Sequence, residues 1–293
     1  MKSMLFIVNP NAGQKRVKRY LSEIIAVFNR GGYRVEVCVT SGQGDAIETV
    51  KALAPGKDLV VCAGGDGTFN ETINGMLLSG ANVPMGYIPC GSTNDFAASL
   101  KLPTNLLQAA RRIVEGTPVS FDAGLFGERY FSYVASFGAF TRASYTTPQN
   151  VKNALGHTAY VLSGIQELSQ IHKEHIRLEA EGYVIEDDFI FGAISNSTSV
   201  GGVLTLDPSQ VDMGDGMFEI MLVRAPRSLA ELSECIKAIQ SQKYNCAMIT
   251  FFSANQVRIQ ADPDMNWTLD GEKEPGHRDV TVTNLHHAIT IIK

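Results

Sequence analysis

Residues 58–78 read DLVVCAGGDGTFNETINGMLL, a stretch that combines an apolar strand, a glycine-rich turn and a helix. The continuous apolar run Leu59–Cys62 predicts a strand that is covered on both faces. The glycine-rich turn follows at residues 64–67, and apolar residues at helical spacing predict a helix from about Phe69 onward. This order of elements sets the expectation for the first half of the chain.

The turn at residues 64–67, Gly-Gly-Asp-Gly, has the composition of a phosphate-binding loop. Glycines remove side-chain bulk and permit positive φ, so backbone amides can approach a phosphate closely. The N-terminus of the following helix adds unpaired N–H groups and the positive end of its dipole. Asp66 would repel phosphates unless a divalent cation lies between them or the carboxylate accepts a proton. A structural alternative is a capping box formed by Thr68 and Glu71.

Length and composition predict a globular protein of one large or two medium domains, with 293 residues, 44% apolar and 19% charged. No apolar run approaches the roughly 20 residues that span a bilayer, and residues 4–8 are too short for a signal peptide. The five cysteines lack metal-ligand spacing, which favours reduced thiols in a cytosolic protein. The net charge of −5 argues against nucleic-acid binding and requires any membrane contact to be local.

The first half alternates strands and helices. Strands are predicted at 4–8, 35–39, 58–63 and 85–89, with helices after the first three at about 17–28, 46–53 and 69–77. Polar turns follow these strands at 9–13, 40–46 and 91–97. In a βαβ arrangement, ligands bind at the carboxyl ends of the strands, so we expect these turns to form a site.

Four cations, Lys15, Arg16, Lys18 and Arg19, crowd the start of the first helix. Positive charge opposes the helix dipole at that end, so a compensating anion is expected. Phosphate is the obvious candidate, and a solvated basic face is the alternative.

The pattern changes near Val119, where strands dominate. Strands are predicted at 121–126, 129–138, 175–180, 189–195, 217–223 and 256–261, with helices at about 155–171 and 228–241. This order predicts a mainly antiparallel sheet or sandwich. We therefore expect two domains, residues 1–121 and 122–285, with the tail 286–293 returning to the first.

Taken together, the motifs resemble those of the diacylglycerol kinase catalytic domain family, which includes bacterial lipid kinases and sphingosine and ceramide kinases. The resemblance rests mainly on Asn9–Gly13, Gly64–Glu71 and Gly91–Ala97. It implies an α/β nucleotide-binding N-terminal domain, like that of NAD kinases and phosphofructokinases, and a mainly antiparallel β-sandwich C-terminal domain. Those two kinase groups share the Gly-Gly-Asp-Gly core, whereas the Asn-Pro-x-x-Gly turn favours the lipid kinases.

The resemblance also implies a nucleotide site across the polar turns. The residues that it assigns to ATP are Asn9, Pro10, Asn11, Ala12, Gly13, Thr40, Gly64, Gly65, Asp66, Gly67, Thr68, Asn70, Glu71 and Ser92. Mg²⁺, which takes oxygen ligands, would be held near Asp66 and Asp95, directly or through water. A structural alternative for Asp95 is a helix cap paired with Ser92.

Asp122 fits an aspartate of the family at the domain crossing, near the phosphates or the substrate. A plain turn aspartate is the alternative. Asn196-Ser197 and Gly201-Gly202 resemble a further segment of the second domain. The histidines, including the adjacent pair at 286–287, predict no cluster with metal-ligand spacing.

Two more motifs lie in the second half. Residues 212–218 resemble the structural Mg²⁺ loop of the family, with ligands from Asp212, Asp215 and the carbonyl of Met217; an Asp-Gly turn opening a strand is the alternative. Asp270-Gly271-Glu272 resembles the motif in which the glutamate acts as general base. Glu272 would then take the proton of the acceptor hydroxyl. A β-turn with exposed charges is the alternative.

We therefore predict an ATP- and Mg²⁺-dependent lipid kinase with Glu272, Asp66 and Asp95 as its catalytic residues. It would transfer the γ-phosphate to a diacylglycerol-like hydroxyl and give a phosphatidate-like product. We expect it in the cytosol, peripheral to the membrane, with a sheet-edge homodimer permitted. Diacylglycerol, phosphatidylglycerol and a long-chain base stay open as acceptors. The alternatives are a soluble-substrate kinase, such as an NAD kinase, and a non-catalytic nucleotide or lipid sensor.

Overall fold

The computed structural model describes residues 1–92, 94–138, 171–200, 204–205, 211–241 and 243–293. The side chains of Asp95, Ser199, Val200, Leu204, Thr205 and Gln240 also lie outside the description. The predicted helix at about 155–171, apart from its last residue, and the glycines at 201–202 are therefore not described. Two compact units divide the chain: Met1–Ala123 with His286–Lys293, and Gly124–Leu285.

The first unit is an α/β fold built on a parallel sheet. Its strands are β1 Lys2–Val8, β2 Tyr33–Val39, β3 Leu59–Gly64 and β4 Met85–Pro89. Its helices are α1 Val17–Arg30, α2 Asp45–Leu53, α3 Asp66–Ser79, α4 Asp95–Ser99 and α5 Leu106–Glu115. The strand order is β4-β3-β1-β2, and every one of these pairs is parallel. The carboxyl ends of all four strands therefore meet at one edge.

Continuous apolar sequence explains the central strands of this sheet. All of β3 is buried, as are the last five residues of β1, because helices cover both faces of a parallel sheet. Helix α1 buries Val17, Ile24, Val27 and Phe28 along one stripe. Helix α3 begins at Asp66 and not at the predicted Phe69, because the glycine turn itself supplies the first helical turn.

The second unit is mainly antiparallel, as predicted. Its strands are the end of β5 Pro118–Phe126, β6 Arg129–Phe131, β7 Val134–Gly138, β8 Glu174–Ala180, β9 Tyr183–Ser195, β10 Ser199–Val200, β11 Leu204–Thr205, β12 Phe218–Arg224, β13 Ile249–Ala254, β14 Gln256–Gln260, β15 Trp267–Leu269, β16 Glu272–Glu274 and the first part of β17 Asp279–Ile292. The predicted helix at 228–241 is α6, Leu229–Gln240. Aromatic and aliphatic side chains form the core of the second unit, in which Trp267 is only 1% exposed.

The α/β fold followed by an antiparallel β fold confirms the predicted fold class. Among the helices that the structure describes, none is both long enough and apolar enough to cross a membrane.

Candidate active site

The turns after β1, β3 and β4 meet at the carboxyl edge of the parallel sheet. The backbone N–H of Asn9 donates to the carbonyl of Ala63 at 2.9 Å, and its side-chain Nδ2 donates to Thr68 Oγ1 at 2.8 Å. On the other side, a Cβ added at Gly13 would lie 2.3 Å from the carbonyl oxygen of Cys90. Hydrogen bonds and close backbone packing therefore hold the three turns together.

The glycines of the central turn are required by this packing. A Cβ at Gly64 would lie 2.5 Å from that of Thr68, and a Cβ at Gly91 would lie 2.6 Å from the Cα of Gly65. None of the glycines at 64, 65 and 67 has positive φ, so this turn does not use the left-handed backbone that glycine permits. At Gly67 an added Cβ would meet no described atom within 4 Å, so the backbone is open at the start of α3.

Asp66 is the first residue of α3, and its half-buried carboxylate reaches the next turn. It accepts hydrogen bonds from the backbone N–H of Asn94 at 2.8 Å and of Phe96 at 3.5 Å. The cap proposed for Ser92 and Asp95 is wrong, because α4 follows Asn94, a residue at φ +56°. Asp95 is the first residue of α4, and its side chain lies outside the described part.

The capping box proposed for Thr68 and Glu71 is also wrong, because Thr68 is already inside α3. The Glu71 carboxylate instead accepts hydrogen bonds from the N–H groups of Gly44 at 2.9 Å and Ala46 at 3.3 Å. These groups belong to the start of α2, whose N-cap is a glycine without a side chain. Glu71 therefore caps a neighbouring helix.

Three other predicted nucleotide residues, Asn70, Thr40 and Asn11, also have protein contacts. The buried side chain of Asn70 accepts a hydrogen bond from Asn74 Nδ2 at 2.9 Å within α3. At the end of β2, the Thr40 N–H donates to the carbonyl of Val8 at 2.9 Å, which brings this turn beside β1. Pro10 and Asn11 form the turn after β1, where the Asn11 N–H donates to Asn9 Oδ1 at 3.0 Å.

The start of α1 is positively charged. The side chains of Lys15, Arg16, Lys18 and Arg19 are exposed, and α1 has no acidic residue in its first turn. No side chain among the described residues forms a hydrogen bond that caps this helix. The predicted accumulation of positive charge at a helix N-terminus is therefore present.

All five cysteines lie in the described part of the chain and are free thiols. Burial raises the pKa of Cys62 and of Cys90 to about 12. These two thiols, although they lie near the turns, stay protonated at neutral pH and are poor nucleophiles.

The structure brings Asp122 together with the two adjacent histidines, which sequence analysis did not predict. Asp122 is fully buried, and its Oδ1 accepts hydrogen bonds from the His287 N–H at 2.7 Å and the His286 ring at 3.1 Å. The expectation that His286 and His287 have no partner cluster is wrong, since potential ligand atoms of all three residues lie within 4.8 Å. Asp122 lies in β5 and is not a turn aspartate.

In the second unit, Asp270-Gly271 forms the turn between β15 and β16. Both residues have positive φ, +50° and +85°, as a two-residue hairpin with Asp-Gly requires. The Asp270 carboxylate is buried and accepts four hydrogen bonds of 2.6–3.0 Å from residues 132–134. Burial raises the pKa of Asp270, and those four donors oppose the increase. Sequence analysis missed this anchoring role, for which the Asp-Gly pair is the only local signal.

Glu272 follows that turn as the first residue of β16. Its Oε2 accepts a hydrogen bond from Arg129 at 2.7 Å, and Glu274 contacts the same guanidinium at 2.7 Å. The side chain of Glu272 is 29% exposed and follows a true β-turn, so the turn of the alternative is present and the catalytic role of Glu272 stays a prediction. Arg129 lies 143 residues from Glu272 in the sequence, so no local signal indicates this partner.

The predicted cation loop lies just before β12. Asp212 Oδ1 accepts the N–H of Gly214 at 3.1 Å, and Asp215 Oδ1 accepts the N–H of Met217 at 2.9 Å. Both carboxylates are thereby fixed on one short loop, in which Gly216 has φ +81°. The Met217 carbonyl accepts a hydrogen bond from Asn284 Nδ2 at 3.0 Å. Two carboxylates and a carbonyl suit a hard cation such as Mg²⁺.

Comparisons with known proteins agree with this arrangement. The profile of the diacylglycerol kinase catalytic domain matches residues 3–126, and that of the YegS C-terminal NAD kinase beta sandwich-like domain matches residues 134–293. The Bacillus subtilis diacylglycerol kinase is 31% identical over 93% of this chain and 90% of its own length. The Staphylococcus carnosus diacylglycerol kinase is 32% identical over 92% of this chain and 89% of its own.

A crystal structure from Bacillus anthracis, provisionally named a diacylglycerol kinase, has a TM-score of 0.82 and 25% identity, covering 99% of this chain and 95% of its own. The chain therefore belongs to the diacylglycerol kinase catalytic domain family. Membership confirms the resemblance and makes the protein a kinase, a phosphotransferase with an alcohol group as acceptor, in a family of lipid kinases.

Proposed function

We propose that this protein is an ATP- and Mg²⁺-dependent lipid kinase that phosphorylates a diacylglycerol-like hydroxyl and releases a phosphatidate-like product. The observation that carries the proposal is the convergence of the turns at Asn9–Gly13, Gly64–Gly67 and Gly91 at the carboxyl edge of the sheet. The backbone there carries little side-chain bulk and lies beside the N-termini of α3 and α4. Such an arrangement suits the phosphates of a nucleotide.

The charges around these turns support ATP as the nucleotide. The exposed cations at the start of α1 attract phosphate, and the turns at Gly13 and Gly64–Gly67 supply backbone amides. Asp66 fits a Mg²⁺ ion, because its carboxylate is partly exposed at the same edge. We assign Asp95 to the same ion. Mg²⁺ would neutralise phosphate charge during transfer.

In the second unit, we assign Glu272 as the general base. As the acceptor oxygen bonds to the γ-phosphorus, its proton passes to Glu272 and the bond from phosphorus to the β–γ bridging oxygen breaks, releasing ADP. Arg129 holds one carboxylate oxygen of Glu272 in place. We also propose that Asp212, Asp215 and the Met217 carbonyl bind a structural Mg²⁺.

We further propose a cytosolic enzyme that meets its lipid at the membrane surface, with residues 1–121 and the tail binding ATP and residues 122–285 binding the acceptor. Buried free thiols are consistent with a reducing compartment. A homodimer through the sheet edge of the second unit is permitted by this proposal and is not needed for it.

The test is transfer of labelled γ-phosphate from ATP to a panel of hydroxyl lipids in mixed micelles with Mg²⁺. The matched control is Asp66→Asn, whose amide oxygen still accepts the Asn94 N–H, so the turn is retained while the carboxylate charge is lost. We expect label in diacylglycerol or a close analogue, reduced by at least ~10²-fold in the variant, because a metal-binding charge is removed.

Other outcomes separate the alternatives. Label in NADP, with none in any lipid, would support an NAD kinase. ATP binding without transfer to either class would support a sensor, a reading that membership in a kinase family already disfavours.

A further inference from the structure

Asn284 is a buried polar residue at a position where β17 requires an apolar one. Along this strand, Val280, Val282 and Asn284 alternate with partly or fully exposed residues, so their side chains share the inner face. Asn284 is only 9% exposed. An asparagine in this place loses the hydrophobic contribution that a third apolar side chain would make.

The two polar ends of the Asn284 amide differ in their contacts. Nδ2 donates to the carbonyl of Met217 at 3.0 Å, whereas Oδ1 has no hydrogen-bond partner among the described residues. Leaving a buried acceptor unsatisfied destabilises a fold, so each such atom requires an explanation. A bound water or ion that completes the site is one such explanation.

Met217 supplies that explanation, because its carbonyl is one of the three groups assigned to the structural cation. A carbonyl oxygen has two lone pairs, so it can accept from Asn284 and still bind a cation. Asn284 comes from β17, more than sixty residues from the loop, and contacts it from outside. Groups that orient a metal ligand in this way commonly govern metal affinity.

We propose that Asn284 is a positioning residue for a divalent cation held by Asp212, Asp215 and the Met217 carbonyl. Its Nδ2 fixes the direction of the carbonyl, and its Oδ1 accepts a hydrogen from a water bound to the cation. Mg²⁺ keeps several waters in protein sites, so such a donor is expected. The inference rests on the proposed cation loop and is independent of the acceptor lipid.

The experiment measures Mg²⁺ affinity of the full chain without nucleotide, after chelation, by calorimetry and by the Mg²⁺-dependent rise in Tm. Asn284→Leu replaces the amide with an apolar side chain of similar size. We expect its Tm in chelator to be unchanged or higher, because the unsatisfied oxygen is gone, while Mg²⁺ affinity falls by about 10–100-fold. Asn284→Ala, which leaves a cavity and no clash, should lose the same affinity even though its Tm falls.

Two controls identify the site. Thr283→Ala alters the neighbouring residue on the other face and should keep the wild-type affinity. Asp215→Asn should abolish the Mg²⁺ binding that belongs to this loop. Its loss distinguishes this site from Mg²⁺ bound near Asp66.

The outcomes distinguish the two proposals. Wild-type protein that binds no cation, with none found by elemental analysis, would overturn the cation loop and with it the role of Asn284, whereas lipid phosphorylation is assayed separately. Binding that Asp215→Asn abolishes and both Asn284 variants retain would overturn the role of Asn284 alone. A lower Tm in chelator with unchanged Mg²⁺ affinity would show that Asn284 is only a packing residue.

Discussion

Glu272 and Glu274 offer a matched pair at the residue scale, because both contact Arg129 at 2.7 Å from the same short strand. If Glu272 is the general base, Glu272→Gln lowers kcat by ~10²-fold or more with little change in the KM for ATP. Glu274→Gln keeps the proposed base and one carboxylate on Arg129, so most activity should remain. Equal losses in the two variants, measured by steady-state phosphorylation, would assign the effect to the ion pair and remove Glu272 from the mechanism.

Single residues were predictable where their chemistry follows from the adjoining strand. Asp66 could be placed because Gly-Gly-Asp-Gly comes directly after a buried apolar run, whose carboxyl end is the binding edge of such a sheet. The partners of Asp122 and Asp270 could not be predicted. His286 lies 164 residues from Asp122, and Ser132 lies 138 residues from Asp270. Only the folded chain reveals such long-range pairs.

At the scale of elements, Glu71 on α3 caps α2, whose N-cap Gly44 has no side chain. Glu71→Ala should lower the free energy of unfolding by about 1–2 kcal/mol, because two N–H groups at the start of α2 lose their acceptor. Glu71→Gln should cost less, since its amide oxygen still accepts. Urea denaturation measures both, with Glu48→Ala, an exposed acid in the same turn of α2, as the control. A loss in Glu48→Ala equal to that in Glu71→Ala would contradict the capping role.

The elements themselves followed from periodicity, and their errors have local causes. The apolar runs in β1 and β3 have the length of strands and end at turn residues, and the apolar stripe of α1 has helical spacing. The apolar pattern predicts a start of α3 that is three residues too late, because the glycines before Phe69 carry no such pattern. The spacing of Thr68 and Glu71 imitates a capping box, although the carboxylate reaches a different helix.

At the scale of the whole molecule, the first unit is discontinuous in sequence, because His286–Lys293 belongs with Met1–Ala123. The apolar tail at 288–292 suggested this return from sequence alone. Ile291 pairs with Met85 of β4, and Thr117 exchanges two backbone hydrogen bonds with Lys293 at 2.9 and 3.0 Å. The tail is thus a strand of the α/β unit, which has a direct consequence for truncation.

Ending the chain at Leu285 removes Ile289, Ile291 and Ile292, which are at most 9% exposed. At about 1.5–3 kcal/mol for each buried side chain, the loss is roughly 5 kcal/mol or more, comparable with the total stability of a typical domain. We expect the truncated protein to lose the cooperative unfolding of the first unit or to aggregate. Thermal circular dichroism and soluble yield measure these two outcomes. Lys293→Ala, which keeps the backbone pairing, should behave as wild type. Because the tail adds the strand beside β4, an unchanged unfolding profile after truncation would mean that residues 1–123 form a complete unit without it.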